Sequence, residues 1–101
     1  MTEMVTIYTK SKGVTINIDL GLNIESATTA KILYEKPSGK TGEVEATLGE
    51  TSISFTTPLD SEFFDEEGLW SFQPYVESPI WKVYGQKVSV SVRSSIQTET
   101  E

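Results

Sequence analysis

Apolar and polar residues alternate along most of this chain, and the alternation predicts β-strands. Residues 14–20 (VTINIDL) and residues 87–92 (KVSVSV) alternate without interruption. Because a strand places successive side chains on opposite faces, each stretch predicts a half-buried strand. The segment 68–92 holds both tryptophans, and we predict that it forms two long antiparallel strands joined through Ser78 and Pro79. Its large rings are expected to form the floor of a two-layer core.

Shorter strands are predicted in the rest of the chain, at residues 5–9, 30–36, 44–48 and 53–55. Proline and glycine at residues 37–39 and glycine at 49 supply the turns between them. Short strands at regular spacing predict an all-β, antiparallel β-sandwich of about seven strands.

Two connections have a more specific prediction. Residues 21–28 read as a loop that crosses the sandwich, and its apolar side chains (Leu22, Ile24 and Ala27) are expected to be buried under it. Residues 58–67 are the one segment where a short helical turn is predicted, because acidic residues lie in it and a glycine follows. At this length the turn needs Phe63 or Phe64 as an anchor in the core.

The composition indicates one domain with few chemical options. We assign residues 1–93 of the 101 to the sandwich and residues 94–101 to a polar tail. A net charge of −7 opposes binding to nucleic acid. The chain has neither cysteine nor histidine, so the usual thiolate and imidazole ligands and bases are missing, and no cofactor is predicted. No leader sequence and no membrane-spanning apolar stretch is recognised, so we expect a protein made in a cytoplasm that does not contact membranes.

Two motifs could bind ligands, and each has a simpler interpretation. Residues 39–41 read G-K-T, the end of a phosphate-binding loop, but Tyr34 stands where that motif needs glycine and a strand follows. We therefore predict a hairpin turn. The acidic segment 60–67 could gather oxygen ligands for calcium, but its spacing does not fit a calcium loop. A solvated acidic turn is the preferred interpretation. Nothing predicts a catalytic cleft, so we do not expect an enzyme.

Three aromatic residues, Tyr75, Trp81 and Tyr84, are candidates for contact with a ligand. They either pack inward or under a loop, or they are exposed on a rigid sandwich. Exposed rings can anchor a protein partner or stack on a sugar. The sequence leaves these alternatives open.

Several segments, in order, carry a resemblance to a known family. They are S-A-T-T-A-K-I-L-Y-E-K-P-S-G-K (26–40), E-A-T-L (45–48), I-S-F-T-T (53–57), G-L-W-S-F-Q-P-Y-V-E (68–77) and I-W-K-V-Y-G-Q-K-V-S-V-S-V (80–92). The succession resembles the N-terminal domain of the baseplate upper proteins of tailed bacteriophages. The resemblance implies an immunoglobulin-like sandwich. The bulky residues 61–67 depart from the small, polar run of that family, in which a longer region follows the domain.

The resemblance implies a non-enzymatic structural protein of the virion that acts through protein–protein contacts. The location would be the baseplate or tail, or the capsid as a decoration protein or head-fibre base. Other virion proteins would be the partners, and the chain would be a trimer or hexamer or bound to a lattice. The alternative is a carbohydrate- or host-surface-binding module that uses the exposed aromatic residues. The predicted protein interface comprises Val5, Ile7, Glu62, Asp65, Glu66 and Glu67.

Overall fold

The computed structural model describes residues 5–60 and 62–94, and their regular structure is entirely β. Strands are found wherever the sequence alternates. The described part contains nine strands: β1 (Val5–Tyr8), β2 (Thr15–Asp19), β3 (Thr29–Glu35), β4 (Thr41–Glu45), β5 (Thr47–Leu48), β6 (Ser52–Thr56), β7 (Gly68–Glu77), β8 (Lys82–Tyr84) and β9 (Val88–Arg93). The predicted tail falls on residues 94–101, of which 95–101 lie outside the described residues.

The strands form two sheets that face each other. The large sheet has the order β1-β9-β7-β3-β4, and β8 pairs with the second half of β7. The small sheet has the order β2-β6-β5. All neighbouring strands are antiparallel except β1 and β9, which run parallel. The architecture is an immunoglobulin-like β-sandwich, as the sequence predicted.

The ten-residue strand β7 is the centre of the large sheet. It pairs with β3 along one side and with β9 and then β8 along the other. Its burial alternates from Trp70 to Val76, so every second side chain enters the core. The facing residues of β9, Val90 and Val92, are buried on the same inner face. The half-buried strand predicted from the alternation of residues 87–92 is confirmed.

Aromatic rings fill one end of the core. Trp70 is fully buried, and the centroids of Phe64 and Phe63 lie 5.3 and 5.6 Å from its centroid. Its indole N–H donates a 3.0 Å hydrogen bond to the carbonyl oxygen of Glu66, so burial leaves this polar group satisfied. Phe63 also packs edge-on against Tyr34 at 5.3 Å. The two phenylalanines anchor segment 58–67, as predicted.

The same segment corrects the predicted helical turn. Its described residues form no helix. The neighbours Phe63 and Phe64 both point inward, with centroids 5.2 Å apart. Asp65 and Glu66 bind residues of the β3–β4 turn instead of capping a helix. Tertiary contacts therefore replace the local hydrogen bonds that a helical turn would make.

The predicted second long strand is divided into β8 and β9. Phe72 pairs with Val88 and Tyr75 with Tyr84, so two residues of β7 lie opposite three residues, 85–87. One extra residue in a strand produces a bulge that breaks regular pairing. Gly85 lies at the break, where an added Cβ would come within 2.7 Å of the Pro74 ring.

Two smaller predictions are also corrected. The predicted strand 44–48 is divided because the chain passes from the large sheet to the small one at Ala46, whose N–H binds the carbonyl oxygen of Ala30 at 3.0 Å. In the crossing loop, Ile24 is fully buried as predicted, whereas Leu22 is 43% exposed. Ala27 is half-buried and also packs against the core, so Ile24 and Ala27 together hold this loop in place.

Candidate functional site

The outer face of the large sheet is the candidate functional site. Since the even-numbered residues of β7 enter the core, its odd-numbered residues from Leu69 to Glu77 point away from it. The register places the outward residues of β3, β4, β8 and β9 beside them. We call this surface the outer face.

The centre of the outer face is concave. The concavity, which we call the hollow, has a volume of about 400 Å³. Ser71 and Gln73 of β7 form its floor, and both are half-buried. Small polar side chains in the middle of a twisted sheet leave space above the backbone. The hollow is lined by Leu33, Tyr34, Glu35, Thr41, Gly42, Glu43, Ser71, Phe72, Gln73 and Lys87.

The bulge between β8 and β9 contributes one wall of the hollow. Lys87 is the last of the three bulged residues and lies on the wall opposite β3 and β4. The side-chain amide of Gln73 donates a 2.9 Å hydrogen bond to the carbonyl oxygen of Gly85. This bond ties the floor of the hollow to the bulge and so holds the wall in position.

The charges of the outer face are separated into two halves. The acidic half, on β3 and β4, carries Glu35, Glu43 and Glu45 against a single lysine, Lys31. Lys31 donates a 2.9 Å ion-pair hydrogen bond to Glu43, and this contact raises the pKa of the lysine. The basic half, on β8, β9 and the bulge between them, carries Lys82, Lys87 and Arg93. All three are exposed.

Two of the three predicted aromatic residues meet on the outer face. Tyr75 and Tyr84 face each other across β7 and β8 with centroids 4.8 Å apart. Tyr84 is 63% exposed. The Tyr75 hydroxyl donates a hydrogen bond to Glu77, and this bond raises the pKa of Tyr75 to about 12. Trp81 is separate, because it is partly buried and packs against the core.

The other predicted interface residues are dispersed. Ile7 packs against the core, and Val5 pairs with Val90 of β9, so β1 is an edge strand whose outer edge has no neighbour among the described strands. Edge strands offer free backbone groups for pairing with another chain. The role of β1 as an interface stays a prediction.

The acidic segment is partly a structural brace. Asp65 forms a 3.1 Å ion pair with Lys36, and Glu66 accepts 3.2 and 3.1 Å hydrogen bonds from the amide and hydroxyl of Ser38. Glu62 and Glu67 are exposed. The four carboxylates therefore do not converge, and their role as a contact surface stays a prediction.

The described residues offer little for metal or phosphate chemistry. None of them form a group of three or more histidine, cysteine, aspartate or glutamate side chains that could hold a metal ion. Residues 39–41 connect β3 to β4 in a hairpin, where the Gly39 N–H binds the Lys36 carbonyl oxygen at 2.9 Å. This confirms the hairpin interpretation of the G-K-T motif. Among residues 5–60 and 62–94, no helix is long and apolar enough to cross a membrane.

No pattern in the sequence identifies the hollow. The alternation of residues 87–92 places Lys87, Ser89 and Ser91 opposite the valines of that stretch, and in the structure they lie on the outer face. The available signal was the small polar residues of β9 and β7. What the sequence did not indicate is that β3, β4 and the bulge bring their charges around one concave surface.

Comparisons with known proteins give a fold and no family. No protein-family model matches the chain, and no curated protein matches it. Among solved structures, the chain is similar to CopC from Methylosinus trichosporium OB3b, with a TM-score of 0.63 and 17% sequence identity over 94% of this chain and 88% of CopC. A likeness at this identity establishes the β-sandwich fold.

The comparison also contradicts the predicted function. The structural match is to CopC rather than to a component of a phage particle, and nothing found points to a virion role. The prediction of a virion structural protein, with the carbohydrate- or host-surface-binding module as its alternative, is therefore wrong. The residues behind the resemblance explain the error: they are turn glycines and core aromatic residues, which many sandwiches of this shape require.

Proposed function

We propose that this chain is a non-enzymatic binding domain that uses the outer face of its large sheet to bind another protein chain. The observation that carries the proposal is the concave centre of that face. The hollow has a volume of about 400 Å³ and combines an apolar residue, Leu33, with hydroxyl, amide and charged groups. Concave surfaces with this mixture are typical of binding sites.

Apolar groups around the hollow support a protein as the ligand. Leu69 is 51% exposed at one end of β7, and the pair of Tyr75 and Tyr84 lies at the other end. Exposed leucine and tyrosine side chains distributed over a rigid sheet suit a broad contact with a protein surface.

Site-specific photo-crosslinking tests this proposal. A photoreactive phenylalanine analogue is placed at Leu69 or at Tyr84 in the full chain, which is then irradiated in the cells that naturally make it. We expect covalent adducts to a protein chain from both positions, identified by mass spectrometry. The matched control position is Asn17, which is exposed on β2 of the small sheet.

Comparison with the control position, Asn17, distinguishes specific binding through the outer face from random collision. Adducts from Leu69 and Tyr84 that are absent at Asn17 support binding through the outer face. Adducts of equal yield from all three positions indicate random collision and contradict the proposal, as does a lack of protein adducts from the outer face.

A further inference from the structure

The outer face has the charge pattern of a self-complementary surface. Its acidic half lies to one side of β7 and its basic half to the other. A two-fold axis that runs along β7, parallel to the sheet, would turn a second copy so that the two outer faces meet. Each acidic half would then lie over the basic half of the other copy. Two-fold interfaces use the same patch on both subunits, so a patch must complement itself.

We propose that two copies of this chain associate face to face through the outer face. The inference rests on the proposed function, that this face binds a protein, and it names the partner as a second copy. In this arrangement β7 lies over β7, and β3 lies over β9 of the other copy. Lys87 of each copy is thereby placed opposite Leu33 and Glu35 of the other.

The key charged pair is free to form. Glu35 and Lys87 line opposite walls of the hollow, one strand from β7 on either side. Both are exposed. By contrast, Glu43 already pairs with Lys31 within the chain. Opposed potentials of this kind set the register of an interface and exclude wrong partners.

The dimensions of the outer face suit a dimer. Five strands spaced about 4.8 Å apart and a long central strand give a surface of roughly 20 by 30 Å in projection, and the side chains that stand on it raise its accessible area above that product. Stable protein interfaces bury about 800 Å² of accessible surface on each partner. Three apolar or aromatic residues lie within the contact area on each copy, Leu33, Leu69 and Tyr84. Ser71 of the floor and Ser89 and Ser91 of β9 are small enough to allow close approach.

Charge reversal with mixing tests the dimer. Sedimentation measures the dimer dissociation constant of the full chain, of Glu35→Lys and of Lys87→Glu. In the dimer of each single variant, like charges lie opposite each other at two symmetry-related contacts. We expect the dissociation constant of that dimer to rise by about tenfold or more. In an equimolar mixture the two variants complement each other, because positions 35 and 87 then carry opposite charges across both contacts. We expect the mixture to recover the dimer.

The matched control is Glu50→Lys, the same charge change at an exposed position on the β5–β6 turn of the small sheet. This control should dimerise like the unmodified chain. If Glu50→Lys dimerises as weakly as Glu35→Lys, or if the mixture of Glu35→Lys and Lys87→Glu does not recover dimers, the face-to-face arrangement is overturned. An unmodified chain that sediments as a monomer also overturns it. In that case, crosslinks from Leu69 and Tyr84 to a different protein would still support the proposed function, whereas no crosslinks would contradict both.

Discussion

The two faces of the large sheet are made by the same strands and have opposite characters. Along β7, Trp70 and Phe72 are buried among aromatic rings, while Ser71 and Gln73, their immediate neighbours, form the floor of the hollow. The inner face has close-packed large side chains, and the outer face has small polar groups surrounded by charges. In one strand, therefore, the residues that point inward stabilise the fold and the residues that point outward are available for binding. A substitution on one face is expected to have little effect on the property that depends on the other face.

The strongest test of this separation compares adjacent residues. Trp70→Ala removes a fully buried ring and its hydrogen bond to Glu66, and we expect a loss of about 3–5 kcal/mol in the free energy of unfolding. Leu69→Ala, on the outer face, should change it by less than about 0.5 kcal/mol. Urea denaturation followed by circular dichroism measures both.

Similar losses for the two variants would show that the outer face also carries stability in the isolated chain. A small loss for Trp70→Ala would show that the aromatic cluster is not the centre of the core. The separation of the two faces is supported only if the two values differ by several kcal/mol, which is a large part of the 5–15 kcal/mol typical of native proteins.

A substitution at Gly42 of β4 is expected to destabilise the fold less than Trp70→Ala does. At this position the packing of the inner face leaves no room for a side chain. An added Cβ would lie 2.5 Å from the Tyr34 ring, which Phe63 holds from the other side. Gly42→Ala should therefore cost about 1–3 kcal/mol by overpacking. Thr41→Ala, one residue earlier and on the outer face, is the control and should be nearly neutral. An unchanged denaturation midpoint for Gly42→Ala would show that Tyr34 moves aside freely.

The smallest expected change in stability comes from the hydrogen bond between Tyr75 and Glu77 on the outer face, and it depends on pH. The hydrogen bond to Glu77 raises the pKa of Tyr75 to about 12 from its ordinary value of 10. The folded chain therefore holds this proton more tightly than the unfolded chain. The resulting stabilisation is fully present below pH 10 and is lost as the pH rises toward 12.

Spectroscopic titration of tyrosinate absorbance measures this pKa. Tyr75→Phe should remove the ionisation near pH 12, and Glu77→Gln should move the ionisation toward pH 10. Because the residue lies on the outer face, neither variant should alter the inner face, and near-ultraviolet circular dichroism of the tryptophans should stay unchanged. If the tyrosinate titration curve is the same in Glu77→Gln as in the unmodified chain, the hydrogen bond to Glu77 does not control the ionisation of Tyr75.

Much of the fold could be predicted because alternation reports burial directly. The alternation of residues 14–20 and 87–92 predicted the half-buried strands β2 and β9, and the P-S-G turn predicted the hairpin from β3 to β4. The two wrong predictions of secondary structure have the same cause. The helical turn at 58–67 and the long unbroken strand after Ser78 were inferred from local preferences, but side-chain packing and the bulge opposite Pro74 decided those segments.

The candidate site was harder to predict than the fold. Its polar residues were recognised only as facing water, and the three aromatic candidates were treated as one group. In the structure Tyr75 and Tyr84 share the outer face, while Trp81 packs against the core. Residues distant in sequence, such as Glu35 and Lys87, line one hollow because β3 and β9 both pair with β7. Sequence spacing does not contain that information.

The sequence by itself therefore determined which residues enter the core and where most strands turn, because periodicity and turn chemistry act between near neighbours in the chain. It also determined the lack of histidine and cysteine chemistry. Only the tertiary structure decided the order of the strands, the position of the bulge and the separation of charge across the outer face. Those properties depend on which strands pair, and pairing is settled by packing between residues far apart in sequence.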